Sequence, residues 1–285
     1  MKIKSLLTVI LLFLCSTMIF SQAQKSLQPH QGKIQSIVES ANNTFYTAGD
    51  DGFVVKWLPD GTGEHFQISD LEIKLIAVSP NGTDIAVYET DGFSIHRVSE
   101  WNWKTLTRKN AKRFTDSIVS LEYSAKGTYL MAGTSSVDGM LFLDPKNKLT
   151  PLSVVKDFTG TVTLAKTGKT EKTVLMYSPQ GTLTYYNLAD GSKVQEFDCE
   201  TLLEQATLLY NNVYLVGTKN DSISIIKATT GEISATIPSK NPIILKSSGS
   251  ELHFVEFDEQ NDWFILTQVP LKKSDLQVIP VELQY

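Results

Sequence analysis

The sequence feature that most constrains the fold is a weak repeat of about 40 residues built from short apolar segments. The repeat is clearest between His30 and Trp57, where two alternating apolar segments flank Asp51-Gly52. Turn-forming residues recur in six units, beginning at residues 40, 79, 124, 165, 210 and 247. Glycine and asparagine adopt the backbone angles that tight turns need, so each site predicts a hairpin between the first and second strands of a unit.

A second series of turns keeps the same period, and each of its members precedes another apolar segment. These turns begin at Asp51, Asp91, Asp138, Gln180, Asn220 and Asn261. The apolar alternation around them predicts strands, and no segment combines helical periodicity with capping residues. The sequence therefore predicts an all-β fold, a β-propeller of about six, alternatively seven, four-stranded antiparallel blades. We expect residues 25–29 or 276–283 to supply the strand that closes the ring.

Residues 1–23 are predicted to be a secretory signal peptide. Lys2 and Lys4 precede an uncharged apolar run, and Ser21-Gln22-Ala23 gives a cleavage pattern of small residues. The propeller is then expected over residues 24–285, in a periplasmic or secreted protein. Lipidation at Cys15 is an alternative, although the residues before it are larger than lipoprotein processing normally accepts.

Composition limits the classes of partner. The formal net charge is −5, and no run of lysine or arginine provides an electrostatic footprint for nucleic acid. Cys199 is the one cysteine outside the signal segment, so the mature chain is expected to have no internal disulfide. After signal cleavage no membrane-spanning segment is expected, and we predict a monomer.

The first unit resembles the WD-repeat (tryptophan–aspartate) family. In that family a histidine, a serine or threonine, an aspartate and a tryptophan form a hydrogen-bonded network within one blade. His30, Thr47, Asp51 and Trp57 stand at the matching places in this chain. The resemblance implies a structural role for these four residues, holding the strands of the first blade together.

Later units keep the turns and lose most of this motif. Counted from the turn, the place of Trp57 is taken by Arg97, Asp144, Tyr186 and Ile226. None of these four units has a histidine before its first strand. The resemblance therefore covers the whole predicted propeller as a period, but only the first unit as a motif.

Acidic residues concentrate in the predicted turns between second and third strands, which share one face of a propeller. Besides Asp51, they are Asp50, Glu89, Asp91, Asp138, Asp221, Glu259 and Asp262. They predict a rim that could hold a basic partner or a cation. The alternative is that aspartate is simply a good turn residue.

Trp101 and Trp103 are a second candidate for partner binding. Residues two apart on a strand point to the same side, so exposed indoles would anchor an interface. Buried between blades, they would instead belong to the core.

We expect an exported protein-interaction scaffold that presents its loop-rich face to a protein partner of unknown identity. No cofactor, metal site or catalytic residue is predicted, because the chain has no phosphate loop, nucleophile elbow or paired-cysteine site. One alternative is a propeller hydrolase or lactonase-like enzyme with a cation in its channel. Another is a lipoprotein propeller of an envelope-assembly complex.

Overall fold

The structure is a computed structural model. It describes residues 30–40, 44–58, 62–136, 139–155, 158, 160–199, 201–209, 214–240, 242–244, 251–258, 263–270 and 281–284. Side chains are described as far as Pro242, apart from that of Leu209. The predicted signal segment, 1–23, lies outside the described residues, as do residues 25–29.

The described backbone forms six antiparallel sheets of four strands, each made from consecutive strands of the chain. Blade 1 contains β1 (Ile34–Glu39), β2 (Phe45–Gly49), β3 (Phe53–Trp57) and β4 (Gly63–Gln67). Blade 2 contains β5 (Glu72–Val78), β6 (Asp84–Thr90), β7 (His96–Asn102) and β8 (Thr107–Phe114). Blade 3 contains β9 (Ile118–Tyr123), β10 (Leu130–Thr134), β11 (Met140–Asp144) and β12 (Thr150–Leu152).

Two further blades and a last sheet complete the list. Blade 4 contains β13 (Leu164–Thr167), β14 (Thr173–Tyr177), β15 (Thr182–Asn187) and β16 (Lys193–Asp198). Blade 5 contains β17 (Gln205–Leu209), β18 (Tyr214–Lys219), β19 (Ser222–Lys227) and β20 (Ile233–Pro238). The last sheet contains β21 (Pro242–Ile244), β22 (Glu251–Asp258), β23 (Trp263–Pro270) and β24 (Val281–Gln284).

The strand order gives the molecule two distinct faces. Because every sheet is an antiparallel meander, loops between second and third strands lie at one end of the blades, here called the upper face. Loops between first and second strands, and between third and fourth strands, lie at the opposite end, the lower face. The first strands of successive sheets contact one another, β1 with β5, then β9, β13, β17 and β21. These first strands therefore form the inner layer of the molecule.

Apolar side chains fill the spaces between neighbouring blades. One core joins blades 1 and 2, for example through Val54 and Ile85, and another joins blades 2 and 3. Two more join blades 3 and 4 and blades 4 and 5. Middle strands such as β6 are buried on both faces, whereas the outer strand β16 is largely exposed. Each fully buried leucine or isoleucine in these cores contributes about 2 kcal/mol.

The number of blades corrects the expectation of six, alternatively seven. The four cores of described side chains pack five four-stranded blades, β1 to β20, against one another. The sixth four-stranded sheet, β21–β24, is described by its backbone alone. Among the described strands there is no seventh sheet. Chain length divided by turn spacing counts repeats of sequence, and it cannot show which of them pack side chain against side chain as blades.

The all-β prediction is confirmed, and two local expectations need correction. β24 pairs with β23 in a sheet of consecutive strands, so residues 281–283 do not form a separate closing strand, and residues 276–280 lie outside the described residues. The fourth hairpin begins at Gly168, because residues 165–167 belong to β13. The turns predicted at residues 210–212 and 247–249 lie outside the described residues. In the part of the chain that the structure describes, no helix is long and apolar enough to span a membrane.

Candidate functional site

The upper end of blade 1 brings together the four residues that carry the repeat motif. Trp57 Nε1 donates to Thr47 Oγ1 at 3.0 Å, and Thr47 Oγ1 lies 2.8 Å from His30 Nε2. His30 Nδ1 lies 3.1 Å from Asp51 Oδ2. Because the carboxylate can only accept, Nδ1 carries a proton, and the threonine hydroxyl, which accepts from Trp57, donates to Nε2. The result is a directed chain of hydrogen bonds from the third strand to the turn before it.

The Asp51 carboxylate is held by several donors. Burial raises its pKa, but the N–H of Phe53, the His30 ring and the N–H of Gln31 more than offset this, so its pKa lies below its ordinary value. The side chains of His30 and Asp51 are 3% and 8% exposed, which leaves neither of them open to a ligand. Gly49 makes room for the ring and for the neighbouring backbone, because a Cβ there would lie 3.3 Å from His30 Nδ1 and 2.6 Å from Lys33 O. This arrangement is a structural brace within blade 1.

Blade 2 has its own tryptophan at the same place in the strand register. Trp101 pairs with Ile85, and Trp57 pairs with Phe45. Ile85 and Phe45 each lie opposite the last residue of the preceding strand. Trp101 is therefore the equivalent of Trp57, and the expectation that Arg97 takes the tryptophan place was wrong. The hairpin of second and third strands is longer in blade 2, in both its strands and its loop, which displaced the count from the turn.

The Trp101 indole enters a different network. Its Nε1 donates to Ser99 Oγ at 2.8 Å, and the Ser99 hydroxyl donates to Glu89. Arg97 also bonds to Glu89, through Nε at 3.1 Å. The Glu89 residue is fully buried at 0% exposure. A tryptophan, a hydroxyl and a buried ion pair thus replace the histidine–aspartate arrangement of blade 1.

The burial of Glu89 corrects its assignment to the acidic rim. Glu89 lies inside β6, one residue before the strand ends, because β6 is longer than β2. Asp50, another member of the predicted rim, has two donors of its own. Gln35 Nε2 and Lys74 Nζ lie 2.6 and 3.4 Å from Asp50 Oδ1. Asp221 is exposed on the upper face. Asp138, Glu259 and Asp262 lie outside the described residues.

Asp91 organises the loop between β6 and β7. Its Oδ1 accepts hydrogen bonds from the backbone N–H of Phe93, Ser94 and Ile95, at 2.9, 2.8 and 2.8 Å. Ser94 Oγ adds a bond to Oδ2 at 3.0 Å. These donors hold the pKa of Asp91 far below its ordinary value. The carboxylate is thus occupied by its own loop and fixes the backbone on both sides of Phe93.

Phe93 projects from this ordered loop into solvent. It is 90% exposed, against 59% or less for the other exposed large apolar residues of the described chain. The turn predicted at Asp91 put the next strand directly after Gly92, but β7 begins at His96. The available sequence signal was the spacing between turns, which is 45 residues in this unit and 39 in the first. Part of this difference lies in the upper loop, which has five residues between β6 and β7 against three between β2 and β3.

Trp103 belongs to the core. It is 8% exposed and packs edge to face on Tyr46 and Phe66, with ring centroids 5.2 and 5.4 Å away. Its assignment as a partner anchor is therefore corrected, because it fills the space between blades 1 and 2. Trp101 is half-buried beside this core, and the Arg108 guanidinium lies 5.8 Å from its ring centre. Neither indole projects from the surface as Phe93 does.

The inner strands enclose a channel. A cavity of about 360 Å³ is lined by β1, β5, β9, β13 and β17 of the five blades. Glu122 and Lys166, on adjacent inner strands, form an ion pair in its wall. Within the described ranges, no group of three histidine, cysteine, aspartate or glutamate side chains could hold a metal ion.

Burial raises the pKa of the Cys199 thiol to about 11, so this thiol is protonated at neutral pH.

Comparison with known proteins identifies the family. The family model described as "N-terminal beta-propeller domain" matches residues 16–281. An "Uncharacterized protein" of Treponema pallidum (strain Nichols) is 35% identical over 211 residues, which is 74% of this chain. The alignment covers 34% of that relative, so the chain spans about a third of its length. The five packed blades agree with this match. The chain belongs to the family of N-terminal β-propeller domains.

Proposed function

We propose that this propeller is a protein-interaction platform that binds a protein partner through its upper face. The observation that carries the proposal is the exposure of Phe93, 90%, on a loop fixed by Asp91. Large exposed aromatic residues are typical energetic centres of interfaces. The partner that fits is a protein with an apolar pocket able to enclose one phenyl ring.

The fixed loop supports binding through pre-organisation. Ordering a flexible side chain and its loop costs about 0.5–1.5 kcal/mol per side chain on association. Asp91 lowers the backbone part of this cost before the partner arrives, because three backbone N–H groups and the Ser94 hydroxyl are already bonded to it. Burial of the Phe93 ring would then contribute about 2 kcal/mol to binding.

The blade networks supply the rigid frame for this loop. In our proposal blade 1 is a WD-type repeat, with His30, Thr47, Asp51 and Trp57 in the roles that the family resemblance implies. Blade 2 is a diverged repeat in which Glu89 and Arg97 take over the bracing. A rigid ring with variable loops provides a recognition surface without catalytic residues.

We further propose that the protein is exported. Lys2, Lys4 and the apolar run from Leu6 to Phe20 support this, together with the small residues before Gln24. Intact mass of protein isolated from its native host tests the proposal. A mature chain starting at Gln24 is expected, and a full-length chain starting at Met1 would contradict it. A lipid-modified chain starting at Cys15 would instead assign the protein to the envelope as a lipoprotein.

Site-directed photocrosslinking tests the platform. A photoreactive phenylalanine analogue is placed at residue 93, and at residue 194 as a control, because Val194 is 59% exposed on the outer strand β16. We expect a discrete crosslinked partner from position 93 and none from position 194. Unlabelled wild-type protein should compete with this product, and the Phe93→Ala variant should compete at least about tenfold less well. Equal products from both positions, or equal competition by both proteins, would refute the role of Phe93.

A further inference from the structure

A second cleft lies on the lower face, away from the Phe93 loop. Its cavity of about 660 Å³ is formed where blades 2 and 3 meet. The loops after β5 and β9, the outer strand β8 and the loop after β11 surround it. Pockets of this size commonly hold small ligands. The cleft is therefore large enough for a molecule of the size of a mono- or disaccharide.

The inner part of the cleft is polar and buried. Glu100 is 1% exposed, and its Oε1 accepts the Tyr123 hydroxyl at 2.8 Å. Asn110 Nδ2 donates to Glu100 Oε2 at 2.6 Å and also to Pro145 O at 3.0 Å. Burial raises the pKa of Tyr123 well above its ordinary value, so its hydroxyl remains a donor to the carboxylate. Glu100 and Tyr123, 1% and 5% exposed, are too buried to contact a ligand, and they hold the half-buried Asn110 in place. The Asn110 amide oxygen is an acceptor that suits a hydroxyl group of a ligand.

Lysines surround this polar group. Lys109 Nζ lies 2.8 Å from Asp84 Oδ2 and 3.7 Å from Glu100 Oε1, so it balances acids of the cleft. Lys126, Lys146 and Lys148 also line the cavity. Lys126 Nζ donates to Thr170 O at 3.3 Å and interacts with the Glu171 carboxylate of blade 4. Within the described part of the chain, Lys146 and Lys148 form no ion pair. The cleft therefore carries excess positive charge in a chain whose formal net charge is −5.

The loop that presents two of these lysines is firmly built. The N–H groups of Asn147 and Leu149 both donate to Asp144 O, and Lys146 N donates to Asp144 Oδ1 at 2.9 Å. Lys148 has a φ of 51°, in the left-handed region that lysine rarely occupies. Leu149 follows with a φ of 55° and is completely buried. The buried leucine thus fixes the strained loop in the conformation that places Lys146 and Lys148 at the cleft.

We propose that this cleft binds a small polyhydroxylated anion, a sugar acid or a sugar phosphate. The ammonium groups of Lys146 and Lys148 would bind the carboxylate or phosphate. The Asn110 amide oxygen would accept a hydrogen bond from a ligand hydroxyl. The shared chemistry is one anionic group on a polyol, and the site lies on the opposite face from the one proposed to bind protein.

Titration calorimetry with four probes tests this proposal on the whole chain. Glucuronate and glucose 6-phosphate separate the carboxylate source from the phosphate source. Glucose lacks the anion, and inorganic phosphate lacks the polyol. We expect at least one anionic sugar to bind about tenfold more tightly than either glucose or inorganic phosphate. Binding of inorganic phosphate as tight as that of both sugars, or no binding of either sugar, would overturn the proposal.

Paired lysine variants locate the binding. Lys146→Ala/Lys148→Ala should weaken binding of the anionic sugar at least about tenfold. Lys193→Ala/Lys227→Ala removes the same charge from exposed positions in blades 4 and 5 and should leave binding unchanged. Equal losses in the two double variants would show a general charge effect and refute the site. Lys148→Gly keeps the loop conformation and should also weaken binding, so a folding defect does not explain the loss.

Discussion

The Trp101 indole donates to Ser99 Oγ at 2.8 Å, which reproduces in blade 2 the bond from tryptophan to a hydroxyl seen in blade 1. The hydroxyl has changed strands. In blade 1 it belongs to Thr47, opposite Val55, whereas in blade 2 it belongs to Ser99, opposite Val87. In both blades a hydroxyl therefore accepts the tryptophan N–H. That hydroxyl bonds to His30 in blade 1 and to Glu89 in blade 2.

Thr47→Val should destabilise the protein by about 2 kcal/mol, because it leaves the buried Trp57 N–H without its acceptor and His30 Nε2 without its donor. Urea unfolding measures the change. Thr236→Val is the matched control, since Thr236 is exposed on the outer strand β20, and it should change stability by less than about 0.5 kcal/mol. Equal effects of the two substitutions would show that the network contributes nothing specific.

Acid should weaken the brace of blade 1. The pKa of Asp51 is lowered in the folded state from its ordinary value of 3.8. Its contribution is thus complete above the unfolded pKa and is lost as the pH falls through the lower folded pKa. Asp51→Asn should reduce the unfolding free energy clearly at pH 6 and much less at pH 2.5. A loss that is constant with pH, or no larger than that of the exposed control Asp221→Asn, would contradict this assignment.

Arg97→Met should cost about 3 kcal/mol, because it leaves the buried Glu89 carboxylate without its cation. The double variant Glu89→Gln/Arg97→Met should regain part of this loss. Chemical unfolding of the four proteins gives the coupling energy. Lys193→Met breaks an exposed pair with Glu196, and its cost should stay below about 1 kcal/mol. Additive effects at Glu89 and Arg97 would mean that the two do not act as a pair.

Asp91→Ala should loosen the loop that presents Phe93 while leaving the blades intact. It removes the common acceptor of the Phe93, Ser94 and Ile95 amides. Exchange of these amides with deuterium should accelerate about tenfold, because they lose the acceptor that protects them. Amides of β6 and β7 are internal controls, and their exchange should not change. Faster exchange across the whole blade would instead indicate a global role for Asp91.

Lys148→Gly should stabilise the protein by about 1 kcal/mol, because glycine adopts the observed φ of 51° without steric cost. Lys146→Gly is the control within the same loop and should destabilise it by about 0.5–1 kcal/mol, since its φ is not in the left-handed region. Thermal unfolding of both variants measures the difference. A destabilised Lys148→Gly would mean that the lysine side chain contributes more than the strain costs.

Local sequence patterns determined the strand content and the brace of blade 1. Alternating apolar residues and turn residues act over a few positions, so the strands around Asp51-Gly52 could be predicted closely. The spacing of His30, Thr47, Asp51 and Trp57 matched the network because every intervening loop is short. The same count failed in blade 2, where a longer hairpin moved Trp101 into the tryptophan place.

Tertiary structure alone decided the features that depend on contacts between distant segments. The burial of Glu89 and Trp103, the packing of five blades, and the exposure of Phe93 follow from how neighbouring sheets meet. The lysines of the lower cleft are separated by up to 39 positions in the chain, from Lys109 to Lys148, so they do not form one run in the sequence. Periodicity fixes which face a residue takes on its own strand, whereas charge clusters and clefts arise only when separate blades are brought together.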